Sequence, residues 1–443
     1  MKLGFGNAAT MLFLSCTALI KLFIGIIRVS FHSFSSVDFM NSHLLRLFFF
    51  VVPTISVFSS NALVPVVAFV GLLSAVINYY ESRQLPKFSK LQLGLLVAFF
   101  GWITISTFWT ISPLNALKLD FRLFALTLCG LLLISSVETQ SEHTHRTLAK
   151  ALLIGSALAV IFLLVESTLD APITKMVKGK PLDAAMNLSR FNRGATFLGI
   201  TAWALFAIYG MRLSLFLRLL LPVVSLAILY FAPSESTLFA VLLGSIWYLF
   251  FFALPRFGFK LLPVLLIASI LVMPLVTRVT ALLHGPESSQ SIPFSAKHRF
   301  FIWKFVGDQI VENPILGWGF DAARDYPNKG VENYIHVDGN GNERAIDGRI
   351  ISLHPHNFSL QVWLELGAIG AVLVSLIIWT LFGYLKRNNL AEDVAMQAMA
   401  VSTFVIALLG YGIWQNRWYV MFFIFASMIP LVRSCTQAGK RNN

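Results

Sequence analysis

The chain has 443 residues, of which 57% are apolar and only 12% charged, with 40 Phe and 10 Trp. A soluble domain carries about a quarter of its residues charged. This composition therefore excludes an ordinary cytosolic enzyme, a disordered regulator and a secreted disulfide scaffold. A net charge of +13 on a soluble protein would invite a nucleic-acid partner. In a membrane protein it is first tested against the excess of Lys and Arg in cytoplasmic loops, and no nucleic-acid partner is expected.

Residues 1–43 form an apolar N-terminal segment whose placement stays open. Residues 8–27 suit a signal-like or spanning helix, but Lys21 and Arg28 interrupt it and no A-x-A site follows. From residue 44 onward the sequence shows about twelve runs near the length that crosses a bilayer. The predicted helices lie near 44–60, 62–79, 92–110, 119–136, 149–168, 193–209, 212–230, 235–254, 259–277, 358–385, 393–413 and 417–433. The expected fold class is all-α: a polytopic membrane protein. Nine helices occupy 44–277, which includes a basic external loop at 169–192. A long external loop follows at 278–355, and 358–443 holds the last three helices and a cytoplasmic tail.

Orientation follows from the short loops. Arg83, Lys87 and Lys90, Arg212, Arg256 and Lys260, and Lys386 and Arg387 follow even-numbered helices, and Arg433, Lys440 and Arg441 lie in the tail. The rule puts both ends of the twelve-helix unit in the cytoplasm, leaving the two longer loops external. The first of these carries Lys175, Lys178, Lys180 and Arg190, read as a solvated basic rim. Cys16, Cys129 and Cys435 offer neither a disulfide framework nor a thiolate metal cluster.

The residues that bear chemistry gather at the external face. His354-Pro355-His356-Asn357 ends the long loop, and Gln361 and Glu365 follow at intervals of four, so Asn357, Gln361 and Glu365 share one helix face. Acidic and polar groups in a membrane helix face the bundle interior or a watery cavity. A stripe that only knits helices together is the competing explanation. His356 at the helix mouth suits a general base near neutral pH.

Upstream, His298-Arg299-Phe300-Phe301-Ile302-Trp303 reads as an amphipathic helix with Phe300, Trp303 and Ile310 at the membrane interface. Glu312 to Phe320 reads as a tight turn. Arg299 suits an anionic group, with snorkelling to headgroups as its alternative. Arg193 opens a helix beside the small Gly194, which lets a ligand approach closely. Arg417, within Trp414-Gln415-Asn416-Arg417-Trp418, is a lesser external candidate that an aromatic anchor explains equally well. Asp338-Gly339-Asn340-Gly341-Asn342 fails as a calcium loop, because Glu343 and Arg349 stand at its sixth and twelfth positions. His354 and His356 lack a third ligand, so no metal and no cofactor are expected.

Taken together these residues resemble the bacterial O-antigen ligase and polymerase family. The family pattern is His, then Asn, Ser or Gln, nine residues, Gly, two residues, then Gly, Thr or Tyr; His356-Asn357, Gly367 and Gly370 match it. The Arg299/Trp303 helix, the Asn313-Pro314-Ile315-Leu316-Gly317-Trp318-Gly319 turn and the Asn192-Arg193-Gly194 entry also look like family features. The resemblance covers about residues 185–385, and the helix count extends it to most of the chain. It implies a C-type glycosyltransferase-like fold in the bacterial inner membrane, among membrane lipids, with its active site facing the periplasm.

The implied reaction moves a polysaccharide from undecaprenyl pyrophosphate to a sugar hydroxyl of lipid A–core, without metal and with inversion. His356 would be the base, and Arg193 and Arg299 would hold the pyrophosphate. Asn357, Gln361, Glu365, His354, Arg190, Trp303, Gly367 and Gly370 would support them. Alternatives within the family are an O-antigen or exopolysaccharide polymerase and a protein O-oligosaccharyltransferase. A membrane transporter is the alternative from another class, and it predicts polar residues scattered through several mid-membrane helices or paired broken helices.

Overall fold

A computed structural model describes residues 37–82, 89–232, 234–283, 294–327, 334–337, 343–346, 351 and 353–441. The apolar run 8–27, His284 and the Gly/Asn run 338–342 lie outside the described residues, as do the side chains of His298 and His336. The helices in chain order are α1 (Val37–Phe58), α2 (Leu63–Ser82), α3 (Lys90–Ser106), α4 (Pro113–Glu138), α5 (Glu142–Thr168), the short α6 (Pro172–Val177), α7 (Asn192–Tyr209) and α8 (Leu215–Tyr230). Then come α9 (Glu235–Phe251), α10 (Pro255–Leu283), α11 (Phe294–Glu312), the short α12 (Ala322–Asp325), α13 (Phe358–Arg387), α14 (Val394–Leu409), α15 (Asn416–Ser427) and α16 (Ile429–Arg441).

Each apolar run expected from residue 44 onward contains a helix. Among the described residues six stretches are long and apolar enough to cross a membrane: Met40–Phe58, Ser60–Tyr80, Glu142–Thr168, Pro255–Thr277, Phe358–Arg387 and Asn416–Thr436. Lys90–Ser106, Leu215–Tyr230, Glu235–Phe251 and Val394–Leu409 are shorter apolar helices. The chain is a polytopic helical membrane protein. Among the described residues the long loop departs from the all-α expectation in one antiparallel hairpin, Tyr334–Val337 against Glu343–Ile346, with Tyr334 opposite Ile346.

Small residues set the helix spacing. In lipid no hydrophobic drive draws helices together, so close approach depends on residues that let backbones touch. A Cβ at Gly155 of α5 would overlap the Phe50 carbonyl of α1, and one at Gly71 of α2 would overlap the Cys129 carbonyl of α4. The main core lies where α1, α5, α7, α9, α14 and α15 meet, with Phe49, Leu148, Phe197 and Trp418 fully buried in it.

The two ends of the bundle differ chemically. One end carries ion pairs at the helix boundaries: Arg433 to Glu138 at 3.1 Å and Arg256 to Glu392 at 2.7 Å. The other end gathers the N-termini of α7, α9, α13 and α15, together with the segments that hold the candidate residues. Two expectations about that end need correction. Lys175 is no solvated rim residue: it is 1% exposed, pairing with Asp170 at 2.6 Å and donating to the Leu182 carbonyl at 2.8 Å. Ile310 does not lie on the interface. It is buried with Ile302 and Val306 along the inner side of α11, against Leu360 and Leu364 of α13.

The α1–α5 contact gives a direct test. Gly155→Ala should destabilise by about 1–3 kcal/mol, the cost of overpacking a close contact. Gly101→Ala, with open space at its Cβ position, should be neutral or slightly stabilising. Thermal midpoints of the detergent-solubilised variants check the pair, and equal midpoints would remove Gly155 from the spacing argument.

Candidate functional site

The site is built on a break in α13. Gly367 adopts φ 63° and ψ −162°, which splits the helix and strips its neighbours of their helical partners. Backbone groups in a bilayer must still be bonded. The turn between α11 and α12 supplies the bonds. Trp318 N donates to the Leu364 carbonyl at 2.8 Å and Gly319 N to the Glu365 carbonyl at 2.9 Å, while Ala368 N donates to the Pro314 carbonyl at 2.9 Å. Trp102 Nε1 donates to the Leu366 carbonyl at 3.0 Å. Gly317 and Gly319 have positive φ, and a Cβ on Gly317 would meet the Glu365 carbonyl. Gly367 of the sequence pattern is thus a break, whereas Gly370 is an ordinary helical position packed on Leu366.

Glu365 sits just before the break and is fully buried. It accepts from Gln361 Nε2 at 3.0 Å, Trp414 Nε1 at 2.6 Å and Asp321 N at 3.0 Å. Gln361 in turn accepts from Ile413 N at 3.1 Å. Gln361 and Glu365 therefore do knit segments together, and the two share one network. Asn357 does not join them. It caps α13, its Oδ1 accepting from Leu360 N at 3.1 Å, and so serves the helix start and not its inner stripe. Burial raises the Asp321 carboxyl above its usual range, partly opposed by Arg324 at 3.1 Å.

His356 stands two residues before α13 with φ 53°, an uncommon conformation for a side-chain-bearing residue. Three contacts hold it there. Its backbone N–H donates to His354 Nδ1 at 3.2 Å, and its own Nδ1 lies 3.2 Å from the Gly410 carbonyl. Trp303 Nε1 donates to the preceding Pro355 carbonyl at 3.1 Å. A carbonyl only accepts, so Nδ1 carries the proton and the lone pair falls on Nε2, as a general base requires. His354 is buried, and its pKa is pushed down to about 3 by that burial, helped by the nearby His356, Arg324 and Arg417. It is therefore neutral across the physiological range.

The arginines do not form one group. Arg193 lies in the first turn of α7 and shares the surroundings of the buried Tyr411 hydroxyl with Arg417 of α15. Arg299 lies near Glu235, whose carboxylate opposes the effect of burial on the guanidinium. Arg190 stacks over Phe191 at 5.7 Å, half-exposed, as a rim residue would. Among the described residues no group of three or more His, Cys, Asp or Glu is placed to hold a metal.

The segment Gly410–Gln415 joins these parts, whereas the sequence reading named only its Trp414 and Gln415, as flanks of Arg417. It gives a carbonyl to His356, a hydroxyl near Thr196 at 3.4 Å, an N–H to Gln361, an indole to Glu365 and an amide to His354 at 3.0 Å. Its Gly-Tyr-Gly-Ile-Trp-Gln composition, between two apolar runs, was the available signal.

The membrane bundle thus holds His356 at the mouth of a broken helix, with Arg193 and Arg417 near Tyr411 and Arg299 near Glu235. The O-antigen ligase family matches residues 219–375, which include Arg299, His356, Gly367 and Gly370. A Rickettsia conorii protein named "Putative polysaccharide ligase" is 29% identical over 73% of this chain and 76% of its own length. A Rickettsia typhi protein of the same name is 26% identical over 85% of this chain and 94% of its own length. Over residues 219–375 the chain is similar to the O-antigen ligase family.

Glu365→Ala would orphan three buried donors and should cost about 3–5 kcal/mol, with Glu365→Gln losing less. A thermal midpoint for the alanine variant equal to wild type would dismiss the network as a brace. His354 gives a pH test. Its folded pKa lies below the ordinary 6.5, so the unfolded chain takes up the proton first as pH falls. The fold should therefore lose up to about 1.4 kcal/mol per pH unit from this group between its two pKa values. His354→Gln should flatten that decline in acid denaturation curves, and an unchanged slope would contradict the assignment.

Proposed function

We propose that this protein is an O-antigen ligase, transferring a polysaccharide from undecaprenyl pyrophosphate to a sugar hydroxyl of lipid A–core. The reaction takes place at the periplasmic face of the inner membrane, within a unit of about twelve spanning helices. The observation that carries the reading is His356. Its backbone is held by His354 and its Nδ1 faces the Gly410 carbonyl, so Nε2 is set to accept a proton at the mouth of a membrane helix.

The steps follow from this geometry. The acceptor hydroxyl loses its proton to His356 Nε2 as its oxygen attacks the anomeric carbon. The bond from that carbon to the diphosphate oxygen breaks, and the electron pair leaves with the diphosphate. Attack opposite the leaving group inverts the configuration. Arg193 and Arg299 hold the diphosphate and stabilise the charge that develops on it, so the transfer is metal-independent. Trp303 acts through the Pro355 carbonyl to set the histidine, and Glu365 with Gln361 fixes the segment that faces it.

The broken helix does not favour transport. A transporter uses freed backbone groups to coordinate its cargo. Here the Leu364, Glu365 and Leu366 carbonyls are taken by protein donors.

His356→Ala should leave the protein folded and inserted while lowering transfer by at least about a hundredfold in a purified assay, the scale of general-base catalysis. Retained activity would exclude it as the base. In cells, a deletion strain that loses the O-antigen ladder while long polymer accumulates on undecaprenyl pyrophosphate supports the ligase. Lipid A–core carrying a single repeat would mean a polymerase instead.

A further inference from the structure

Arg417 has an environment that the proposed reaction leaves unexplained. It stands in the first turn of α15, with Nη1 3.1 Å from Asn61 Oδ1 and Nη2 3.3 Å from Gln415 Oε1. Arg193 stands in the first turn of α7, and the Tyr411 hydroxyl lies within electrostatic reach of both. The N-cap residues of these two helices, Phe191 and Gln415, make no side-chain capping bond. Two positive helix ends therefore converge, each carrying a guanidinium. Neither arginine forms an ion pair with a carboxylate among the described residues. The Nε of each is buried with no acceptor among them.

The hydrogen bonds between Arg417 and His356 are one acceptor short. The His356 backbone N–H can only donate, so it uses the single lone pair of neutral His354 at Nδ1. His354 Nε2 must then carry the proton and donate to Gln415, 3.0 Å away. That turns the amide oxygen of Gln415 toward His354 and its NH2 toward Arg417 Nη2, which is also a donor. With the amide turned the other way, the donor–donor contact moves to His354. Either way these groups lack one acceptor among the described residues. A phosphate oxygen only accepts, and it would end the conflict at Arg417 while also meeting the buried Nε groups.

We propose that Arg417 faces Arg193 across an anion seat and binds the diphosphate of the lipid-linked donor, with the Tyr411 hydroxyl as a further donor. The assignment rests on the donor proposed above. Arg299 has Glu235 nearby, whereas Arg193 and Arg417 have each other. Two like charges at helix ends are favourable only with an anion between them.

The test titrates farnesyl diphosphate and inorganic pyrophosphate onto the purified full chain in detergent at fixed ionic strength. Wild type and His356→Ala should bind the farnesyl ester alike, which separates binding from the base. Arg417→Gln should weaken both probes about tenfold or more, as loss of charge-assisted bonds predicts. Arg417→Lys, the second variant should the first fail to fold, keeps the charge without the fork and should still lose several-fold. Wild-type affinity in a monodisperse variant overturns the proposal. So does a loss confined to the farnesyl ester, which would place Arg417 on the lipid chain. A wild-type protein that binds neither probe would overturn the lipid-diphosphate donor itself.

Discussion

The arrangement of the site depends on the break at Gly367. A membrane helix satisfies its own backbone, and interrupting it in hydrocarbon leaves polar groups that lipid cannot solvate. The chain meets that demand with the turn after α11, which returns to α13 and bonds to it on both sides of the glycine. Gly317 and Gly319 permit the approach, since their positive φ and missing Cβ leave room for the α13 backbone and for Thr110. Tying this turn down also fixes α11 against the first half of α13, through Ile302, Val306 and Ile310. Trp303 can then reach the Pro355 carbonyl beside His356. A backbone requirement inside the membrane thus becomes the support for a side chain at its surface.

The same region separates acids from cations. Glu365 has three donors of its own, from Gln361, Trp414 and the Asp321 backbone, so it needs no arginine. Asp321 is met by Arg324, and Lys175 by Asp170. Arg193 and Arg417 are left to oppose each other around Tyr411. An unpaired, half-buried guanidinium is costly to maintain. Such a cost is tolerated where binding supplies the missing charge. The segment Gly410–Gln415 is the partition, with Trp414 turned to the carboxylate and Gln415 to His354.

Much of this was legible from the sequence, for reasons that can be named. Apolar runs in lipid have little choice but to be helical, so each run expected from residue 44 onward contains a helix. His356, Gly367 and Gly370 were singled out by their match to the family pattern. Their physical roles were not, because spacing does not show that Gly367 breaks the helix or that Asn357 turns back to cap it. A fixed 3.6-residue period put Asn357 on the Glu365 face, but the period starts only at Phe358. Amphipathicity gave α11 an apolar side without saying whether lipid or protein covers it; Ile310 faces protein. Lys175 read as solvated because its partner Asp170 lies beyond a helix end, where side-chain direction is not periodic. The joining role of the loop 410–415 was hidden for another reason: its partners His354, His356, Gln361 and Glu365 are all distant in sequence.

The positive surroundings of the site act on its histidines as well as on any anion. His356 is held at φ 53°, a conformation that costs about 1 kcal/mol or more for such a residue. Its backbone N–H donates to His354 Nδ1, which must keep a lone pair to accept it. A protonated His354 would donate from both nitrogens, and the turn would lose its acceptor. Burial and the nearby His356, Arg324 and Arg417 keep that ring neutral. Cations suited to gathering a phosphate group thus also preserve the contact that orients His356. Arg417 takes part in both effects: it stands beside Arg193 at the helix ends and one glutamine away from His354.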